Sequence, residues 1–458
     1  MERKTFMSIT SLYSSKLGTT FDCQCGKKHS IPLKAVIIQE NAAGQIPDLL
    51  AREGLGTRGL IVCDQDTWSL AGKDIWEILN SKGYSIKICK FNGTPLIKPD
   101  EKAVTRILVE YDPAVDFLLA VGSGTINDLV RFISHKTGKP YIIFATAPSM
   151  DGYASTVSPL LINGFKRTYT ATHPTAIIAD TGILCSAPEE MIMAGVGDIL
   201  GKLTSLADWR LGVAVTGESL CETAMTMVNS SVQQVISYMT DIRNKKPEGI
   251  KALMDALIIS GIAMMLMGNS RPASGSEHHI AHFLEMKYLM DGREPLFHGT
   301  KVGMAALYTV ALYNEMAGFN PDNIDIEQLI REKPEYDEWC QKIRQIFGPI
   351  ADEVIEEKGR KDWEPGVYQQ RLHTIKQKWN SEIRPVLMSV LLLNTVKSYL
   401  NEAGADFSPA ALNVDQELIH QALLYSKEIR TRYTILSLAS DLGILPEYAK
   451  KLTCNPDK

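Results

Sequence analysis

Aromatic residues are scarce in this 458-residue chain, at 7%, and cations do not outnumber anions: 48 Lys and Arg stand against 53 Asp and Glu, a formal net charge of −5. That balance argues against nucleic acid or an anionic membrane surface as the main partner, since both select strongly basic proteins. An anionic substrate must then be held by a local site and not by the overall field. Cysteine is sparse as well. Eight cysteines, scattered from position 23 to position 454, form no dense disulfide framework, which fits a reducing compartment. The N-terminal MERKTFMSITSLYSSKLGTT starts basic but lacks a continuous apolar core, so it does not read as a secretory signal. No run reaches the ~18–20 apolar residues that span a bilayer. The expectation is a soluble, cytoplasmic protein. What is present is ordinary globular composition, 45% hydrophobic and 22% charged, over a length that allows two or three domains.

The chain has two rhythms. Up to about residue 188, short β-branched runs alternate with helical patterns: Gly59–Cys63, Ser85–Cys89, Phe117–Val121, Tyr141–Ala145 and Ala176–Ala179. Parallel neighbours cannot be joined by a hairpin, so this spacing predicts a doubly wound α/β domain over 1–188 with helices on both faces. From 189 to 458 long helical stretches follow one another, among them Glu189–Gly212, Glu218–Asn244, Ile250–Met267, Glu277–Met290 and Gln416–Leu436, which predicts an all-α domain. The Lys- and Glu-rich segment 332–379 reads as solvated helices or a family-variable insertion.

Phe117-Leu-Leu-Ala-Val121 runs into Gly122-Ser-Gly-Thr-Ile-Asn-Asp128, a strand, a glycine turn and a helix start. Glycines there let backbone N–H groups approach a pyrophosphate, and the helix N-terminus adds partial positive charge. The ordinary GxGxxG fingerprint is missing, and such turns also occur without any ligand. The next strand ends in Thr146-Ala-Pro-Ser149-Met-Asp151-Gly152-Tyr-Ala-Ser155, at the carboxyl end of a parallel strand, where ligands bind in open α/β sheets. Asp151 is either a functional charge or a solvated Asp-Gly turn. Asp64, after the first strand, is either a ribose acceptor or an exposed loop residue.

Four of nine histidines fall between 278 and 298, in Ser274-Gly-Ser-Glu-His278-His279-Ile-Ala-His282 and Phe297-His298-Gly-Thr-Lys-Val-Gly303. His278 and His282 are four apart and share a helical face, while His279 points about 100° away. HxxxH alone is common. A third imidazole and one carboxylate would complete a three-ligand N/O site with an open position. Asp198, set among glycine and apolar residues in Gly195-Val-Gly-Asp198-Ile-Leu-Gly-Lys202, supplies that carboxylate, because a buried charge without a cation is costly. Cys23-Gln-Cys25-Gly-Lys-Lys-His29 offers three more metal donors, one short of a closed zinc site; with no fourth in view it reads as a β-turn with reduced thiols.

In order, GSGTIND at 122–128, TAPSMDGYAS at 146–155, GVGDILGK at 195–202, SGSEHHIAH at 274–282, HGTKVG at 298–303 and the tail Arg432–Gly443 resemble the glycerol-1-phosphate dehydrogenases, bacterial branch, of the iron-containing alcohol dehydrogenase and dehydroquinate synthase superfamily. The resemblance covers roughly residues 30 to 445. It implies a dinucleotide, NAD(P), contacted by Asp64, Gly122, Ser123, Gly124, Thr125, Ile126, Thr146, Ser149 and Ser155. It implies one divalent metal (zinc, nickel or iron) held by Asp198, His278 and His298. Substrate contacts would come from Asp151, Asp198 and His282, with Asp198 and His282 catalytic. The activity implied is interconversion of dihydroxyacetone phosphate and sn-glycerol 1-phosphate in a homodimer. A polyol dehydrogenase and a carbocycle-forming lyase of the dehydroquinate synthase type are the alternatives. Lys166, Lys202 and Arg271 are the candidate phosphate donors, and the doubled histidine 278/279 leaves two registers for the metal ligand.

Overall fold

A computed structural model describes residues 9–93, 97–162 and 165–454. The first eight residues of the N-terminal stretch discussed above lie outside it. The chain folds as two compact units, one built from residues 1–199 with 222–270, the other from 200–221 with 271–458.

The first unit opens with a hairpin, β1 (Thr19–Asp22) and β2 (Lys28–Ile31). Its centre is a six-stranded sheet of β3 (Ala35–Gln39), β4 (Arg58–Asp64), β5 (Ser85–Phe91), β6 (Phe117–Gly122), β7 (Tyr141–Ala145) and β10 (Ala176–Asp180). A second hairpin, β8 (Val157–Ile162) and β9 (Phe165–Thr170), is inserted before β10. The sheet order is β3-β10-β7-β6-β4-β5 and every pairing within it is parallel. Every residue of β6 and β7 is buried, which is why these strands read as unbroken apolar runs and not as alternating ones. Helices α1 (Lys73–Ser81), α2 (Glu101–Glu110) and α3 (Gly124–Thr137) make the crossovers, and α3 stops at Gly138, whose φ of 67° is the left-handed conformation that ends a helix. The five expected strands are all present. The edge strand β3 and both hairpins were not expected from the sequence.

The unit is completed by the start of α4 (Glu189–Thr216), by α5 (Glu222–Ser237) and by α6 (Pro247–Met267). Contrary to the reading of apolar runs, α6 is long and apolar enough to cross a membrane; 78% of its most apolar window is buried inside the fold. Its one buried acid, Asp255, accepts from Tyr13 and Thr10, as a core helix requires.

The second unit is helical: the end of α4, α7 (Ser276–Met290), α8 (His298–Ala317) and a series that ends at Leu445–Cys454. The segment 332–379 forms helices that expose most of their charged residues, as expected, over a buried face of Trp339, Ile343, Phe347, Leu372, Ile375 and Trp379; Arg371 pairs with Asp362 and Asp441. Another expectation needs correction: Gln416–Leu436 is not one helix. It stops at Tyr425, and Arg430–Tyr433 run non-helically into a helix Ile435–Asp441. The break frees main-chain groups that hold the loop before α7: Tyr433 O accepts from Arg271, and Ile435 N donates to Asp208.

Candidate active site

The residues expected to hold a nucleotide lie at the carboxyl edge of the parallel sheet. Gly122 ends β6, Ser123 precedes α3 without capping it through its side chain, and Thr125 and Ile126 lie in the first turn. The turn is tight: a Cβ on Gly122 would come within 2.8 Å of the Ile126 side chain. Thr146 N donates to Gly122 O, tying the neighbouring loop to it, and Thr146 and Ser149 are buried. That loop is pinned from α3 by buried Arg131, whose guanidinium donates to Gly152 O, Val157 O and Tyr141 Oη and pairs with Asp128. Ser155 bonds within its own turn to Val157. Asp64 caps the short helix that follows β4, accepting from Thr67 N at 2.7 Å through Oδ1.

Asp151 is not a solvated turn residue. It is buried, its Oδ2 accepts from Ser260 of α6 at 2.8 Å, and its N–H donates to Asp198 Oδ2 at 2.9 Å. Two glycines make this possible. A Cβ on Gly195 of α4 would sit 1.9 Å from Pro148 O, and one on Gly261 of α6 would sit 2.8 Å from Asp151 O. Both helices can therefore lie directly against the loop.

Helix α4 then runs unbroken through Asp198, Gly201, Thr204 and Asp208. Gly201 repeats the device: a Cβ there would meet Val302 of α8 at 2.5 Å and Glu277 of α7 at 3.2 Å. Glu277 is buried at the centre of a polar network. Its Oε2 accepts from Thr204, and its Oε1 accepts from Gly275 N and lies 2.7 Å from His278 Nδ1. Burial pushes the Glu277 carboxyl up, against the pull of the Gly275 N–H and the Thr204 hydroxyl. A carboxylate on Nδ1 leaves Nε2 as the nitrogen of His278 that could serve a metal ion. His298 opens α8 with its ring centroid 5.2 Å from that of His278. One turn before Gly201, Asp198 completes the group: it, His278 and His298 offer ligand atoms that all lie within 4.8 Å of one another.

His282 stands beside this group, ring centroids 6.2 Å from His278 and 5.7 Å from His298, with 28% of its side chain exposed and Glu285 3.9 Å away. Glu285 also pairs with buried Lys301 at 3.2 Å. His279 turns away. It is fully buried, neither ring nitrogen has a hydrogen-bond partner, and burial followed by the charge of Arg432 holds its pKa well below the ordinary value. Of the doubled histidine, it is therefore His278 that faces Asp198 and His298.

Several members of the site went unnoticed in the sequence. Glu277 had a signal, its place directly before the ligand histidine. Ser260 and Asp208 had none. Asp208, buried, accepts from Ser276 N, Ser276 Oγ, Tyr313 Oη and Ile435 N; burial, then the charge of Glu277, raises its pKa to about 6. Two of the phosphate candidates serve the same loop: Lys202 Nζ donates to Ala273 O, and Arg271 pairs with Glu218 and donates to Asp208 O and Tyr433 O. Lys166 lies on β9, where its charge acts on Asp128.

Residues 37–188 match the family model described as iron-containing alcohol dehydrogenase. The chain is 31% identical over 426 residues to a glycerol-1-phosphate dehydrogenase (NAD(P)+) of Bacillus licheniformis, covering 93% of each chain. It is 32% identical over 427 residues to the protein of that name from Geobacillus stearothermophilus, covering 92% of this chain and 96% of the relative. Among solved structures, a glycerol dehydrogenase from Schizosaccharomyces pombe superposes with a TM-score of 0.59 at 14% identity, over 93% of this chain and 92% of its own, a likeness of fold.

Proposed function

The chain belongs to the glycerol-1-phosphate dehydrogenases of the iron-containing alcohol dehydrogenase superfamily, and on that footing we propose that it interconverts dihydroxyacetone phosphate and sn-glycerol 1-phosphate with NAD(P) and one divalent metal. Residues to 188 would carry the dinucleotide and residues from 189 the metal and substrate. The observation that carries the reading is the convergence of Asp198, His278 and His298, two imidazoles and a buried carboxylate of the kind that suits zinc, nickel or iron. The donor set fits such an ion, because Glu277 commits His278 to ligation through Nε2. An ion held there supplies Lewis-acid polarisation of the ketone.

The other residues do the rest. Backbone N–H groups of Gly122–Ile126, with Thr146, Ser149 and Ser155, would bind the dinucleotide, and Asp64 would accept from a ribose hydroxyl through the oxygen not used as a cap. A dinucleotide held there would supply the hydride for the ketone carbon, and the protein would have to deliver the proton that the ketone oxygen takes. His282, partly open to water and next to Glu285, is suited to deliver it. Asp151, oriented by Ser260, accepts a substrate hydroxyl. A cytoplasmic location fits the eight cysteines, among which no disulfide is formed. A homodimer is the assembly we infer from the resemblance.

The test is turnover by metal-reconstituted protein. NADH or NADPH should be oxidised with dihydroxyacetone phosphate, giving the 1-phosphate and not the 3-phosphate enantiomer. Absence of that turnover together with rapid oxidation of free glycerol would move the assignment to a polyol dehydrogenase.

A further inference from the structure

The turn Cys23-Gln-Cys25-Gly-Lys-Lys-His29 lacked a fourth donor in the sequence, and the fold brings one. The turn joins β1 to β2 and is closed by Cys23 N to Lys27 O and Gly26 N to Cys23 O, with Gly26 at φ 81°. These bonds fold Cys25 back toward His29, whose Nε2 lies 3.2 Å from Cys25 Sγ. The start of α5 meets the same turn: Thr223 Oγ1 is 3.3 Å from Cys23 Sγ. Two residues earlier in the chain, Cys221 adds its sulfur, and the ligand atoms of Cys23, Cys25, His29 and Cys221 all lie within 4.8 Å of one another.

We propose that these four side chains form a second metal site, a closed Cys3His zinc centre that ties the N-terminal hairpin to the start of α5. Four chemical facts support it. The donor set is three sulfurs and one imidazole, the ligand chemistry of structural zinc and not of a hard cation. Four tetrahedral ligands about 2.3 Å from zinc stand roughly 3.8 Å apart, so the observed separations, from 3.2 Å between Cys25 and His29 to at most 4.8 Å, need only small shifts in either direction. His29 and Cys221 are buried while Cys23 and Cys25 are half-buried, so the site is closed on its inner side and loadable from outside. No disulfide is formed among these cysteines. Loading releases three thiol protons and leaves a net charge of −1 on the centre. With no open coordination position the ion would be structural, and the site is independent of the Asp198 group.

The full-length protein loaded with zinc should bind two ions per chain by elemental analysis, and the His278→Ala variant should keep one. Cobalt(II) loaded into His278→Ala should give the near-ultraviolet thiolate-to-cobalt charge-transfer band, and Cys221→Ser should weaken that band. Should the cysteine variant fail to fold, alkylation of the wild-type protein decides. Cys23 and Cys25 should be protected with zinc bound and react at least tenfold faster after treatment with a strong chelator. Equal alkylation rates with and without zinc, a Cys23–Cys25 disulfide in the zinc-treated protein, or a cobalt spectrum without thiolate bands would each overturn the proposal.

Discussion

Glu277→Gln isolates the orienting role of a residue that would touch neither metal nor substrate. In the wild type, Oε1 holds Gly275 N and His278 Nδ1, each at 2.7 Å, and Oε2 accepts from Thr204. A glutamine can keep the Gly275 and His278 bonds through its amide oxygen. Its NH2 can donate to Thr204 Oγ1, whose own proton already has Gly201 O as an acceptor at 3.1 Å. The fold should therefore lose no more than about 1 kcal/mol. What disappears is the negative charge on the far side of the imidazole, which raises the basicity of Nε2. Loss of such a partner weakens metal affinity about 10- to 100-fold, equivalent to about 1.4–2.8 kcal/mol. Competition with a chromophoric chelator measures the affinity, and urea unfolding of the metal-free protein measures the fold. His278→Ala should lose most of the ion at the Asp198 group, and His282→Ala should keep it while losing turnover. If Glu277→Gln bound zinc within about twofold of wild type while His278→Ala lost it, the carboxylate–imidazole reasoning would be wrong.

Asp208→Asn should cost about 3 kcal/mol in denaturant unfolding, because an amide NH2 would face donors wherever it is turned in this buried ring of Ser276, Tyr313 and Ile435. Gly195→Ala should destabilise by about 1–3 kcal/mol and weaken NADH binding in a fluorescence titration, since its methyl would displace Pro148 and the loop that follows. Burial raises the Cys63 thiol to about 12 and the Cys89 thiol to about 11. A raised thiol pKa leaves less thiolate, about one part in 10,000 for Cys63 at pH 8, so both should resist iodoacetamide until pH rises well above 10, as mass spectrometry of the native protein would register.

Much of the site lay open in the linear chain. Strands buried on both faces leave continuous apolar runs, so β4, β6 and β7 were visible, and the glycine turn at the carboxyl end of β6 marked the edge where a nucleotide is expected. Paired histidines one helical turn apart show in any sequence, and so does an aspartate set among glycines. Other features give no local sign. The charge run of 332–379 showed the exposed face of its helices but not the buried one of Trp339, Ile343 and Phe347, because charge counts do not show which face is covered. The break after Tyr425 followed from the needs of Arg271 and Asp208, more than 150 residues upstream.

Periodicity and local chemistry, which depend on neighbours a few positions apart, determined by themselves the alternation of strands and helices, the helical second half and the kinds of ligand on offer. Which histidine of the pair turns inward, what orients it, that Asp151 is buried against Ser260, and that Cys221 reaches the Cys23–His29 turn were decided only by tertiary structure. Each depends on contact between segments distant in the chain, and the close approaches at Gly195, Gly201 and Gly261 that permit several of them are properties of packed helices, not of any short stretch of sequence.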